Sequence, residues 1–278
     1  MTLREWQKGR LSELRGQAFP KSQYADRVTL VIYTFPCAGS ESEMFQWIEC
    51  SILQTWSVLG SLKTVIVASH DFAAVNEFAV AHPEVEVQIA PNLVPGNIKT
   101  MSLDCIQNLH ARFSTPYCLI IQDDGFPLQD TLGDFLGKAD FWGAPIISDG
   151  WKRRLAYGIG LGSFNGGFSL RSKALCEHAS KEWYSVYRHI FPEDHRHLGE
   201  DFYYTTLLKF LPSTWFKFRF PSERNAFRFA FDCLGGHVTL PLEAINPFGF
   251  HGKPTAELMM EKGDRMQQYF KQGEPNDH

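Results

Sequence analysis

Two adjacent carboxylates, Asp123 and Asp124, follow an apolar run from Tyr117 to Ile121 and precede Gly125. A short apolar run bounded by turn chemistry reads as a parallel strand covered on both faces. In open α/β sheets the carboxyl ends of such strands are where ligands bind. Side by side, the two acids repel each other unless water, a cation or hydrogen bonds compensate. The chemistry on offer is a divalent cation site that grips phosphate oxygens, because hard cations take carboxylate oxygens and share the rest of their shell with phosphates. The competing account is a polar turn in which Asp-Gly only bends the chain.

A second acidic pair, Glu200-Asp201, opens an apolar-aromatic segment through Phe202, Tyr203, Leu207 and Leu208. That spacing predicts a helix with Asp201 at its N-terminus, where the dipole and free amides hold a carboxylate charged. A pre-ionised carboxylate beside a cleft is what a general base requires, with simple capping as the alternative. A rival pair, Glu193-Asp194, lies among His189, His195 and His197, whose spacing matches no zinc pattern and reads as a solvated loop. His251 stands in a rigid Phe-Gly-Phe-His-Gly segment that suits a placed imidazole and metal ligation. Asn165, Gly166 and Gly167 lead an alternating strand to Ser172, and the paired glycines imply close approach of backbone to a ligand or another segment. Ser148 to Gly167 is glycine-rich and carries Lys152, Arg153 and Arg154, which reads as a lid whose cations meet phosphate or else as a solvated loop.

The elements that must position these groups follow from periodicity. Val28 to Phe35, Thr64 to Ala68, Val85 to Ala90 and Tyr117 to Ile121 read as strands. Between them, Phe45, Ile48, Ile52, Trp56 and Leu59 mark one helix behind a Ser40–Glu43 capping box, and Asp71 is the expected cap of the next. A third helix runs through Leu103, Ile106, Leu109 and Phe113. Strand and helix alternate, so a mostly parallel central sheet flanked by helices follows, in an α/β, Rossmann-related fold with right-handed crossovers. No GxGxxG or P-loop follows the first strand, which leaves phosphate binding to the aspartates. In the second half, Trp215 to Phe231 interleaves aromatic and basic residues, with Arg224 and Arg228 spaced to share a helix face with Glu223 and Asp232.

The chain divides into an N-terminal helical extension at 1–27, one domain at 28–252 and a C-terminal tail at 253–278. Residues 28–125 read as its nucleotide-binding half, with 126–252 as its second half. The extension reads as a helix packed outside the domain, with a membrane-surface helix as the alternative. A net charge of −4 gives no reason to expect nucleic acid. Six scattered cysteines without a CxxC pair suit buried thiols in a reducing compartment. With no membrane-spanning run and no signal peptide at its start, the chain is expected to be cytoplasmic.

Taken in order, the strand with QDDG, NGGFSLRS, Glu-Asp opening a helix and a late PFGFHG resemble GT-A fold glycosyltransferases. More narrowly, they are similar to an uncharacterised domain family grouped with those enzymes and marked by Q-x-D-G, NGGFSLRS, a Glu-Asp pair and FGFHG. The resemblance covers about Val28 to Gly252. It implies a single GT-A-like domain, with 126–252 as its acceptor and catalytic half, and a metal-dependent transfer of sugar from a nucleotide-sugar donor to a hydroxyl acceptor, saccharide or glycolipid. Within that family the DxD motif binds Mn²⁺ or Mg²⁺ on the donor diphosphate, and its last acid falls on Asp124, with Asp123 beside it. The C-terminal metal-binding histidine falls on His251, and the glycines near the donor sugar fall on Gly166 and Gly167. Gln122, Asp123 and Asn165 complete the implied donor site. Glu200 and Asp201 match the acidic pair whose Asp deprotonates the acceptor in inverting members, with Glu193-Asp194 as the other possible counterpart. A lipid-linked acceptor would imply peripheral contact at the inner face of a membrane. The first acid of DxD is Gln122 here, which leaves open a catalytically degenerate nucleotide- or sugar-binding module. A metal-dependent phosphoesterase or nucleotidyltransferase is a further alternative, although few acids converge.

Overall fold

The computed structural model describes residues 2–146, 163–190, 199–232, 247–253 and 255–256. Four strands run parallel in the order β3-β2-β1-β4: Val28–Thr34 (β1), Thr64–Ala68 (β2), Val85–Ile89 (β3) and Tyr117–Ile121 (β4). Beyond β4 the chain forms Gly125–Pro127 (β5), Phe141–Pro145 (β6) and Phe164–Ser172 (β7). Strand β7 pairs antiparallel with β4 and with β6, completing a mostly parallel six-stranded sheet in the order β3-β2-β1-β4-β7-β6. Every residue of β1 and β2 is buried, which accounts for their mostly aliphatic composition, with Thr29, Thr34 and Thr64 as the buried polar exceptions. β3 is an edge strand, and only Val85 in it is fully buried.

Alternation along the strands sorts the core into two layers. Leu30, Ile32, Ile66, Leu119 and Ile121 face one, which is completed by the helices Glu41–Leu59 (α2) and Ala73–Ala81 (α3). Val31, Val65, Val67, Cys118 and Ile120 face the other, covered by the helices Ile98–Gln107 (α4) and Lys173–Glu182 and by the rings of Tyr203 and Tyr204. Ser40 precedes α2, but its hydroxyl donates to Cys37 O (2.8 Å) instead of capping the helix. A capping box forms instead at Thr2 and Glu5 of the helix Leu3–Leu14 (α1). Phe72, not Asp71, occupies the cap position of α3, and the Asp71 carboxylate accepts from the Asn76 side chain.

A smaller sheet of order β5-β9-β8 stands beside the main one, built with Ala230–Asp232 (β8) and Gly249–His251 (β9). Much of the phenylalanine is spent here. Phe168 stacks on Phe229 (5.3 Å between ring centroids), and Phe135 and Phe248 complete the cluster that joins β7 to the small sheet. On the outer side α1 seals β5 and β9: Leu3 packs with Phe126 and Phe250, and Trp6 stacks on Phe126 at 5.3 Å. The N-terminal helix is therefore integral to the elements that carry the candidate site. Among the described residues, no helix is long and apolar enough to cross a membrane.

Candidate active site

β4 delivers Gln122 to its carboxyl end, and Gly125 N donates back to Gln122 O (3.3 Å) as the chain reverses into β5. Antiparallel pairing then sets Gly125 opposite His251. This brings the imidazole to the acidic turn, with Nε2 lying 3.0 Å from Gln122 Oε1 and 3.5 Å from Asp124 Oδ1. Parallel pairing of β8 and β9 sets Asp232 opposite His251, with Oδ2 3.4 Å from Nδ1. Asp232 is nearly fully buried and also accepts from Asn165 Nδ2 (2.8 Å) and Thr255 Oγ1 (3.4 Å). Gly252, at φ 94°, turns the chain so that its own N–H reaches Asp124 O (3.0 Å) and that of Lys253 reaches Asp124 Oδ2 (3.2 Å).

Electrostatics follow from this packing. Burial pushes the Asp124 carboxyl up, the neighbouring Asp123 adds to that, and His251 opposes it. Burial would lower His251, but the hydrogen bond to Asp232 and the charges of Asp124 and Asp232 outweigh it and hold the imidazole above its ordinary value.

Gly166 and Gly167 have no positive φ, so their role is space. A Cβ on Gly167 would overlap His251 Nε2 and lie 2.5 Å from Gln122 Oε1. One on Gly166 would overlap Glu200 Oε1 and lie 2.7 Å from Arg171 Nη2. Two clusters thus close on consecutive glycines, and Asn165 ties them down by accepting from Gly167 N (2.7 Å).

Glu200 and Asp201 open a helix at Glu200–Phe202 and part in role. Glu200 is buried, taking a hydrogen bond from Ser102 Oγ (3.0 Å) and an ion pair from Arg171 Nη2 (3.3 Å). Arg171 is fully buried between the rings of Phe141 and Tyr204, and its Nη1 has no hydrogen-bond partner among the described residues. Asp201 Oδ1 accepts from Phe202 N (2.6 Å), and its other carboxylate oxygen takes no hydrogen bond among the described residues. Its helix start was expected to hold it ionised. Burial, followed by the adjacent Glu200, nevertheless pushes it up to about 6, which leaves it charged at neutral pH but less firmly than an ordinary aspartate, and the Phe202 amide, Arg171 and His251 counter this incompletely. The helix-end effect is outweighed by desolvation.

Asp123, expected beside Asp124, turns its carboxylate to Arg4 of α1, while Gln7 donates to its backbone oxygen. Lys152, Arg153, Arg154 and the Glu193-Asp194 pair lie outside the described residues. Sequence reasoning missed Asp232, Arg171, Arg4 and Gln7. Asp232 was read as a helix-face partner of Arg228, but the helix ends at Phe229 and Ala230 is already extended.

Among the described residues no three His, Cys, Asp or Glu side chains cluster as metal ligands by themselves. The donor set nevertheless suits a hard divalent ion once an amide oxygen is counted. Neighbouring ligands of an octahedral ion sit about 3 Å apart, close to the 3.0 and 3.5 Å that separate His251 Nε2 from Gln122 Oε1 and Asp124 Oδ1. Asp232 on the far nitrogen is the carboxylate that commonly orients a metal-binding imidazole.

The family model described as Protein of unknown function (DUF5672) matches residues 85–251, more than half of the 278. No curated protein matches the chain. Similar solved structures include the mannosyltransferase PcManGT from Pyrobaculum calidifontis, in complex with GDP-Man and Mn²⁺, at 17% identity and a TM-score of 0.38, covering 73% of this chain and 57% of that one. The glycosyltransferase GlyE of Streptococcus pneumoniae TIGR4 is 13% identical, with a TM-score of 0.40, covering 84% of this chain and 54% of its own. HddC from Yersinia pseudotuberculosis is 11% identical, with a TM-score of 0.35, covering 60% and 87%. The chain spans little more than half the length of the first two.

Proposed function

The chain belongs to the family described as Protein of unknown function (DUF5672), and from that premise we propose that it is a metal-dependent glycosyltransferase, moving a sugar from a nucleotide-sugar donor to a hydroxyl of a saccharide or glycolipid acceptor. The observation that carries this reading is the convergence of Gln122, Asp124 and His251 over Gly167 at the carboxyl end of β4, with the Glu200-Asp201 helix start against Gly166. These three side chains would hold Mn²⁺ or Mg²⁺, which when bound supplies positive charge for a departing diphosphate.

The chain's own groups divide the remaining work. Asp232 fixes the orientation of His251, and Asn165 fixes both Asp232 and the Gly167 amide. Arg171 and Ser102 hold Glu200 in place, so Glu200 positions the helix start and Asp201 is the group left to take a proton. At about 6, Asp201 is ionised at neutral pH and accepts protons more readily than an ordinary aspartate. In a direct displacement the acceptor oxygen bonds to the anomeric carbon and its proton passes to Asp201. The bond to the diphosphate oxygen breaks as this happens, and the electron pair leaves with the diphosphate.

Gln122, an amide where a carboxylate is usual in the resembling enzymes, favours a second reading: a nucleotide-sugar binding module without turnover. A thermal-shift panel of nucleotides and nucleotide-sugars, with and without Mn²⁺ or Mg²⁺, tests the proposal. A ligand at a hundred times its dissociation constant adds about 2.7 kcal/mol. Stabilisation by one nucleotide class that needs metal, followed by turnover of its sugar conjugate, is the expected result. Binding without turnover would select the second reading, and a flat panel would overturn both.

A further inference from the structure

Residues 209–219 read KFLPSTWFKFR, with four aromatic residues, three cations and no carboxylate. The segment folds as a 3₁₀ turn at Leu208–Phe210 and a one-turn helix at Pro212–Trp215. Its inner side is well anchored. Leu208, Thr214 and Phe218 are buried, Thr214 Oγ1 meets His178 Nε2 at 2.8 Å, and the Phe218 ring lies 5.0 Å from that of His178. Its outer side presents Phe210 at 58%, Trp215 at 65% and Phe216 at 92% exposure. A scattered exposed leucine is ordinary, but three large aromatic side chains exposed between residues 210 and 216 are a concentration of apolar surface on one short turn.

The charges around the patch are cationic. Lys217, exposed, extends its Nζ over the Phe218 ring at 5.2 Å. Lys181, also exposed, follows His178 by three residues and so shares its side of the helix. Arg219 is exposed and hydrogen-bonds Gly137 O (2.6 Å). Of the acids on these elements, Glu182 meets Ser213 (3.4 Å) and His178 (3.7 Å) and Asp140 accepts from Arg219 N (2.8 Å), while the exposed Glu177 stands one helical turn from Lys181.

We propose that the tip formed by Phe210, Trp215 and Phe216, ringed by Lys181, Lys217 and Arg219, docks on the surface of an anionic lipid bilayer. Aromatic rings settle at the depth of the headgroups, and lysine and arginine beside them meet anionic lipid. A protein partner fits less well, because lysine is depleted from protein–protein interfaces and Lys217 directly follows the most exposed ring. The helical run that begins at Glu200 continues without a break through Tyr203–Leu207 to Phe210. It therefore joins Asp201 to the docking tip across roughly 15 Å. If the proposed transferase activity holds, docking sets its base at a fixed height above the bilayer, within reach of a hydroxyl on a lipid-borne saccharide. Docking itself does not depend on that activity.

The test is co-sedimentation of the full chain with vesicles of phosphatidylcholine alone and of phosphatidylcholine mixed with phosphatidylglycerol. The double variant Trp215→Ser/Phe216→Ser is run in parallel, with thermal melting to verify the fold and gel filtration to read association state. The wild-type chain is expected to bind the mixed vesicles at least about tenfold better than the neutral ones. The double variant is expected to lose at least that factor while melting at the wild-type temperature. Equal sedimentation of variant and wild type would overturn the proposal. So would a wild-type dimer that the variant converts to monomer, which would assign the patch to self-association. The nucleotide thermal-shift panel reads the other site, so either reading can fail alone.

Discussion

Gly167 lies directly against His251, and only the missing side chain lets the imidazole Nε2 stand over Gln122 and Asp124. One residue earlier, Gly166 makes the same allowance for Glu200 and Arg171. The paired glycines are thus two separate clearances. One serves a candidate metal and donor centre, and the other a buried ion pair.

Adding a methyl at each should therefore separate function from stability. Gly167→Ala is expected to displace His251 and lower metal-dependent nucleotide affinity on the order of 100-fold, with little change in melting temperature. Gly166→Ala should part Glu200 from a fully buried Arg171, at a cost of about 3–5 kcal/mol. Isothermal titration with Mn²⁺ and nucleotide, alongside denaturant unfolding, reads both. If the two variants behave alike, the assignment of the glycines to different clusters is wrong.

Among the described residues, Asp232 hydrogen-bonds His251, Asn165 and Thr255. Asp232→Asn keeps the shape and removes the charge that orients and loads the imidazole. Metal affinity should fall about 10–100-fold. Wild-type affinity in a folded variant would mean that His251 is held by other contacts.

How much of this was legible in advance follows from the range of the interactions. β1, β2 and β4 are rich in aliphatic residues because both of their faces are covered, so local composition reveals them. The motifs flag Asp124, Gly166, Gly167 and His251 because each stands beside turn or glycine chemistry, and Asp201 because an apolar-aromatic helical segment follows it at once. Arg171 gives no such signal. Arginine in a strand ordinarily reads as solvent-facing, and its partner Glu200 is 29 residues away. Asp232 is hidden for a similar reason: three residues of β8 are too few to show alternation, and the pairing that matters is with distant β9. Asp123 and Asp124 look equivalent in sequence. Only the docking of α1, with Arg4 drawing Asp123 outward, tells them apart.

That difference is itself testable. Asp124→Ala removes a carboxylate that faces His251 and should abolish metal-dependent stabilisation by nucleotide. Asp123→Asn loses a partly exposed pair with Arg4, worth about 0–1 kcal/mol, and should leave metal affinity nearly intact. A comparable loss in both variants would place Asp123 among the ligands when metal is bound.

Asp201 offers a prediction in which activity and stability move in opposite directions. Its folded value of about 6 exceeds the 3.8 of an unperturbed aspartate, because burial and Glu200 disfavour the charged form. The native state therefore holds this proton more tightly than the unfolded chain does. The group costs stability in full above about pH 6, and the cost disappears as pH falls below about 4. Asp201→Asn preserves an oxygen for the Phe202 amide and removes the charge. At pH 7.5 it should melt higher than wild type, about 2–4 °C for each kcal/mol relieved, and the gain should vanish near pH 4. Turnover should drop by at least about 100-fold while metal-dependent nucleotide binding survives, and wild-type kcat/KM should decline as pH falls through about 6. A variant that is no more stable at pH 7.5 would show that solvent reaches this carboxylate in the native state. One that keeps wild-type turnover would remove Asp201 from the chemistry.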